Sequence, residues 1–226
     1  MTYAHIETEI SDGIAHLKFN RPGQLNAFNN ELMRETLAAM ATLNDHPDVR
    51  VIIVSGHGRA FSAGFDLKAA SDRKLTTHDN WREQLELQFD FIMSFWDSKV
   101  PTIAAVNGYC LAGALELSLA CDMTVAATDA FFGEPEVRFG SGAVAMLFPW
   151  VIGPKQAKEL LFTGEDRIPA ERALQMGFVN TVVAPDQVVA VAMRLARNVA
   201  QSSPASVQKS KQAVNPGLFN ANYMKR

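Results

Sequence analysis

Two alternating stretches open the chain. Residues 3–10 (YAHIETEI) and 14–19 (IAHLKF) alternate apolar and polar positions on either side of Asp12-Gly13, which predicts a β-hairpin. Arg21-Pro22-Gly23 reads as a turn. From Asn30 to Leu43 the period lengthens: Leu32, Met33, Leu37, Met40 and Leu43 recur at helical spacing, and Pro47-Asp48 ends the segment. Residues 49–55 (VRVIIVS) are a near-continuous β-branched run, the pattern of a strand covered on both faces. Residues 56–64 hold Gly56, Gly58 and Gly64 and read as a loop, and residues 69–78 read as a polar loop. Asn80 to Asp97 is amphipathic, with Trp81, Leu85, Phe89, Ile92 and Phe95 or Trp96 on one side, and predicts a helix with that side in the core. Strands are then expected at 100–106, 123–127 and 178–183, and helices at 113–120, 141–152, 154–162, 170–176 and 186–200. Strands alternating with helices predict an α/β fold.

Composition narrows the class. The chain has 226 residues, enough to bury a full core unaided; it is 48% hydrophobic and 20% charged, as ordinary globular proteins are. A net charge of −3 gives no support to nucleic-acid binding, which usually needs a basic excess. Two cysteines, Cys110 and Cys121, cannot build a disulfide framework, and a reduced, cytoplasmic setting is expected. The start of the chain carries Glu7, Glu9 and Asp12 and resembles neither a secretory signal nor a transit peptide; no apolar run is long enough for a membrane span.

Two segments hold candidate chemistry. Residues 60–68 (AFSAGFDLK) and 108–116 (GYCLAGALE) each follow a strand and each place a glycine where backbone can approach a ligand. The second opens a helix, where free N–H groups favour negative charge. Two such N–H groups converging on one oxygen would form an oxyanion hole; tight strand–helix turns without a ligand account for the spacing equally well. Glu116 sits in an apolar run, where a carboxylate is costly unless paired or functional, and a first-turn helix carboxylate is an equal alternative. Glu134 and Glu136 flank Pro135, a pattern that ordinarily marks a solvated acidic turn. His5, His16, His46, His57 and His78 have no metal-ligand spacing, and Ser62 and Ser141 lie in no nucleophile elbow.

Taken together, Arg21-Pro22 with Asn26-Ala27-Phe28, AFSAGFDLK, VNGYCLAGALELSLACD, FGEPEVRFG and LLFTGEDRIPAERALQMGFVNTVV resemble the enoyl-CoA hydratase/isomerase (crotonase) superfamily over roughly residues 5 to 210. The resemblance implies a spiral of ββα units over residues 1–195 that carries the active site, a shortened helical C-terminal region over 196–226, and assembly as a homotrimer or hexamer. It implies an acyl-CoA thioester as substrate, with coenzyme A entering as part of the substrate and no metal or redox cofactor. Carried over position by position, Glu116 and Glu136 are the catalytic acids and Glu134 a bystander. The N–H groups of Phe65 and Gly113 form the oxyanion hole. Ala63, Phe65, Asp66, Leu67, Lys68 and Gly113 line the substrate path, with Arg21 and Arg59 near it. Both glutamates together resemble the hydratase pattern, with a Δ3-Δ2 isomerase or a dehydratase on a specialised acyl-CoA as the alternative. A non-catalytic CoA- or RNA-binding relative is the further one.

This chain departs from the family pattern at Phe65, where hydratases commonly carry a small residue. It departs again at residues 140–148 (GSGAVAMLF), which lack a Gly-Gly-Thr pattern, and at Pro216-Gly217, where a further helix is expected to run on. The Trp81–Trp96 stripe is expected in the core, with part of it flooring the acyl pocket.

Overall fold

The computed structural model describes residues 3–72, 76–139 and 144–219. The opening alternation forms β1 (Ile6–Ser11) and β2 (Ile14–Phe19), antiparallel with Ile6 opposite Phe19. Asp12 (φ 52°) and Gly13 (φ 78°) supply the left-handed pair that a two-residue hairpin turn requires. In α1 (Asn30–Asp45) the Asn29 side chain caps the helix by accepting from Leu32 N–H at 3.0 Å, and Leu32, Met33, Thr36, Ala39, Met40 and Leu43 form the buried stripe. There follow β3 (Val51–Gly56), β4 (Ala60–Ser62), α2 (Leu67–Asp72) and α3 (His78–Trp96). Next come β5 (Thr102–Val106), β6 (Tyr109–Leu111), α4 (Gly113–Ala120), β7 (Met123–Ala127) and β8 (Phe131–Gly133). The chain continues through α5 (Phe148–Val151), α6 (Pro154–Thr163), β9 (Ile168–Pro169), α7 (Ala170–Met176), β10 (Thr181–Val183), α8 (Val188–Ala200) and α9 (Pro204–Phe219).

The strands form two sheets. The larger has the order β1-β2-β3-β5-β7-β10, parallel throughout except for the β1–β2 hairpin at its edge. Its central strands are apolar on both faces because both are covered: Val51 to Val54 and Ile103 to Val106 are buried, and α8 lays Val188, Val191, Ala192 and Ala196 over them. The smaller sheet has the order β4-β6-β8-β9, with β4, β6 and β8 parallel and β9 antiparallel at its edge.

Several sequence expectations change here. Residues 60–62, within the expected loop over 56–64, are a strand, and 109–111 and 168–169, to which no element was assigned, are strands too short to show a period. Residues 67–72 are helical, so the polar loop expected over 69–78 opens as helix, and 73–75 lie outside the described residues. Of the expected helix over 141–152, residues 141–143 also lie outside them; the rest is a 3-10 turn (Ala145–Leu147) leading into the single turn of α5. The stripe assigned to α3 is only half right. Trp81, Leu85 and Phe89 are exposed, because the first half of α3 extends past the core and turns Gln84 inward onto Asn30. Burial begins at Phe91 and continues through Ile92, Met93, Phe95 and Trp96. The last helix continues past Pro216 to Phe219.

Candidate active site

Three parallel neighbours end side by side. The chain leaves β4 into Ala63-Gly64-Phe65, β6 into Ala112-Gly113, and β8 into Glu134-Pro135-Glu136. The carboxyl ends of parallel strands are where open α/β sheets collect ligands, and here one small sheet delivers all the predicted segments to one edge.

The first two segments touch through their backbones. Gly64 (φ 85°) has no room for a side chain: a Cβ there would lie 2.5 Å from Leu111 O, 2.8 Å from Ala112 Cβ and 3.2 Å from Gly113 N. Ala112 precedes α4 at φ 53° and ψ −130°, a conformation that alanine seldom adopts. Its strain turns the backbone so that Gly113 opens the helix with an uncommitted amide. Among the described residues, neither the Phe65 N–H nor the Gly113 N–H donates to a protein acceptor. The Phe65 ring lies against Gly113, where a Cβ would meet its Cε2 at 2.5 Å, so position 113 is restricted to glycine while that ring is in place.

A polar network holds the first segment from behind, centred on Asn26, a residue to which no role was assigned above. Asn26 is fully buried; its Oδ1 accepts from Arg21 N–H at 2.9 Å and its Nδ2 donates to His57 O and Ala60 O at 2.9 and 2.8 Å. Ser62 Oγ donates to Asn26 O and accepts from Gly64 N–H. Phe28 N–H donates to Gly64 O, and Asp66 N–H donates to Phe28 O. The signal available was Asn26 itself, an amide at a left-handed position (φ 54°) in a turn. Arg21, expected near the substrate phosphates, is committed elsewhere: it pairs with Asp66 at 3.0 Å and donates to Ala27 O. That pair, with Ala69 N–H donating to Asp66, holds the Asp66 carboxyl below its ordinary range against the opposing effect of burial. Leu67, Lys68 and Arg59 are exposed, and Ala63 is half-buried with its N–H on Leu25 O.

The acids gather beside these amides. Glu116 lies one turn into α4, whose eight residues are all buried, and is itself 0% exposed. Its Oε1 accepts from Val144 N–H at 2.9 Å, and among the described residues its Oε2 has no partner. Glu136, in the 3-10 turn Pro135–Phe139, is 7% exposed. Glu134 is 2% exposed, which overturns the solvated-turn reading of this pair. One oxygen from each of Glu116, Glu134 and Glu136 lies within 4.8 Å of the others. Burial, and then the proximity of Glu136, raises the Glu116 carboxyl well above the ordinary carboxylate range. Burial, then Glu116 and Glu136, does the same to Glu134. Among the described residues, these glutamates are the group of acids, histidines and cysteines spaced to hold a cation. Uncommitted amides beside carboxyls that resist ionisation can polarise a carbonyl and move protons at the adjacent carbons.

Comparison with known proteins bears on the same chemistry. Residues 9–225 match the enoyl-CoA hydratase/isomerase family. A probable enoyl-CoA hydratase of Mycobacterium bovis is 35% identical over 218 residues, covering 95% of this chain and 82% of that protein. A crotonyl-CoA hydratase of Syntrophomonas wolfei is 34% identical over 223 residues, covering 96% of this chain and 84% of that one. The crystal structure of an enoyl-CoA hydratase/isomerase from Xanthobacter autotrophicus Py2 superposes with a TM-score of 0.95 at 48% identity, over 99% of this chain and 83% of its own. With the match running through both glycine segments and all three glutamates, the chain belongs to the enoyl-CoA hydratase/isomerase (crotonase) family.

Proposed function

We propose that this chain is an enoyl-CoA hydratase, a lyase that adds water across the 2,3 double bond of a 2-enoyl-CoA thioester. The observation that carries the reading is the pairing of two uncommitted backbone amides, Phe65 and Gly113, with buried carboxyls at Glu116 and Glu136. The thioester oxygen sits between the amides, and its polarisation makes C3 electrophilic. An ionised glutamate takes a proton from water as the water oxygen bonds to C3. Electrons of the alkene move to the thioester oxygen, and the resulting enolate is held by the two N–H groups. The other glutamate, entering as the acid, delivers its proton to C2, so charge and protons balance over the cycle. Each amide donor in such a hole contributes about 3–4 kcal/mol in the transition state. The like-charge proximity that burial enforces keeps one acid protonated while the other is ionised. The backbone of Phe65 to Lys68 lines the path of the CoA moiety. Coenzyme A arrives within the substrate, and the reaction calls for no metal or redox cofactor.

Glu136→Gln is expected to lower hydration of crotonyl-CoA by at least about 10²-fold, followed by the loss of conjugated-thioester absorbance. Near-normal turnover in that variant removes Glu136 from the chemistry, and positional shift of the double bond without hydration assigns the isomerase reaction instead. Assembly as a homotrimer or hexamer is part of the same reading. It is supported by large apolar side chains left exposed near the site, among them Val137, Phe139 and Phe162 at 50%, 63% and 74%. Light scattering of the purified chain gives the oligomeric state.

A further inference from the structure

Glu134 is the buried acid to which the proposed hydration gives no task. Its backbone N–H donates to Glu165 O at 2.8 Å, and its side chain is 2% exposed in the same space as Glu116 and Glu136. Among the described residues its Oε2 has no hydrogen-bond partner, no N–H reaches its carboxyl, and no lysine, arginine or histidine pairs with it.

The titratable groups facing it are Glu116 from α4, Glu136 across Pro135, and the Cys110 thiol of β6, whose ionisation burial suppresses. The neighbouring Glu165 carboxylate is turned to its own loop, accepting from Asp166 N–H and Arg167 N–H at 3.1 and 2.9 Å. Arg138 is paired with Asp166 at 3.0 Å. Among the described residues, no cationic side chain is paired with Glu134. Carboxylates sharing a site cannot all ionise, so the three hold protons between them. The distribution follows from the donors. Glu116 receives the Val144 N–H, which favours charge there, while among the described residues Glu134 receives none.

We propose that Glu134 is a third working member of the site, a positioning residue that stays a neutral carboxylic acid in the neutral range and so leaves one negative charge and one proton to be shared by Glu116 and Glu136. Its purpose rests on the hydratase reading, because that reaction needs the pair in this state. The proton assignment itself rests on geometry.

Proton linkage to unfolding tests it. A glutamic acid neutral in the native state releases its proton when the chain unfolds, so the unfolding constant of the wild type rises by about ten-fold per pH unit relative to Glu134→Gln, between about pH 5.5 and about pH 8.5. Urea unfolding of the two proteins across that range is expected to show the difference; parallel slopes overturn the proposal. If Glu134→Gln does not fold, wild-type protein labelled with 13C at the glutamate side-chain carboxyls carries the test. One carboxyl carbon is expected fully at the protonated position at neutral pH, with the two of the sharing pair between the protonated and ionised positions, and none at the protonated position overturns the proposal. Signals that convert to the ionised form on addition of Mg2+ or Ca2+ also overturn it, because the cluster is then a cation site. A one-proton difference in a chain that does not hydrate enoyl thioesters leaves the assignment standing and removes the hydratase reading. Parallel slopes in an active enzyme do the reverse.

Discussion

At the scale of single residues, the site depends on backbone positions that the amino-acid letters announce unequally. Gly64 and Gly113 are legible as glycines in turns after strands, and what forbids a side chain at either is contact with the other segment. Gly64→Ala would drive a methyl group into Leu111 O and Ala112 Cβ at a left-handed φ; it is expected to abolish turnover and to lower the thermal midpoint by several degrees. A variant with normal turnover would show that the two segments need not touch. Ala112 was not legible, since alanine ahead of a helix looks ordinary and only the structure shows its φ of 53°. Ala112→Gly relieves that conformation and is expected to stabilise the fold by about 1 kcal/mol, read as a higher urea midpoint. Glu134 was misread for a related reason. Two acids flanking a proline suit a solvated turn, and what buries this one is a neighbouring loop brought alongside by β8 and β9.

Among the elements, legibility followed length. The β1–β2 hairpin, α1, β3, α4 and α8 were readable because each carries enough residues to show a period or a continuous apolar run. The smaller sheet was not, although it assembles the site: β4, β6 and β8 have three residues each, and what defines them is pairing with one another. The long helix α3 was found, but its inner face was assigned from spacing alone, and spacing does not say which half of a helix meets the core. The last helix, α9, is fixed by polar contacts that no periodicity reports. Lys211 Nζ reaches Asp122 Oδ2 at 2.8 Å and Phe95 O at 3.3 Å, and Asn215 donates to Trp96 O at 3.1 Å. The lysine side chain is 8% exposed, so the pair is more than a surface ion pair. Lys211→Met is expected to cost about 1.5–3 kcal/mol and to speed amide exchange across α9, whereas Asp122 keeps its bonds from the Thr102 N–H and hydroxyl. Unchanged exchange in that variant would assign the docking of α9 to its other contacts.

For the molecule as a whole, buried titratable groups set opposing limits on pH stability. His16 is buried between strands and bonded to Ser55 Oγ at 2.8 Å; burial, then Lys18 and His57, lowers its pKa from 6.5 to about 4. The unfolded chain therefore binds a proton that the native chain refuses, and stability falls as pH drops from 6.5 toward 4, by up to about 1.4 kcal/mol per pH unit. His16→Gln keeps a partner for Ser55 and is expected to flatten that acid limb in urea titrations; an unaltered limb would place the loss elsewhere. Glu116 and Glu134 act in the opposite sense, since their raised native values mean that stability declines as pH climbs above 4.5. Among the described residues no helix is long and apolar enough to cross a membrane. The division into two sheets has a consequence for how such a scaffold can diversify. The broad sheet holds the apolar central strands of the core, whereas the reactive groups sit where three adjoining short strands end. New chemistries can thus be tried by exchanging a few letters at those ends, with the frame beneath left as it was.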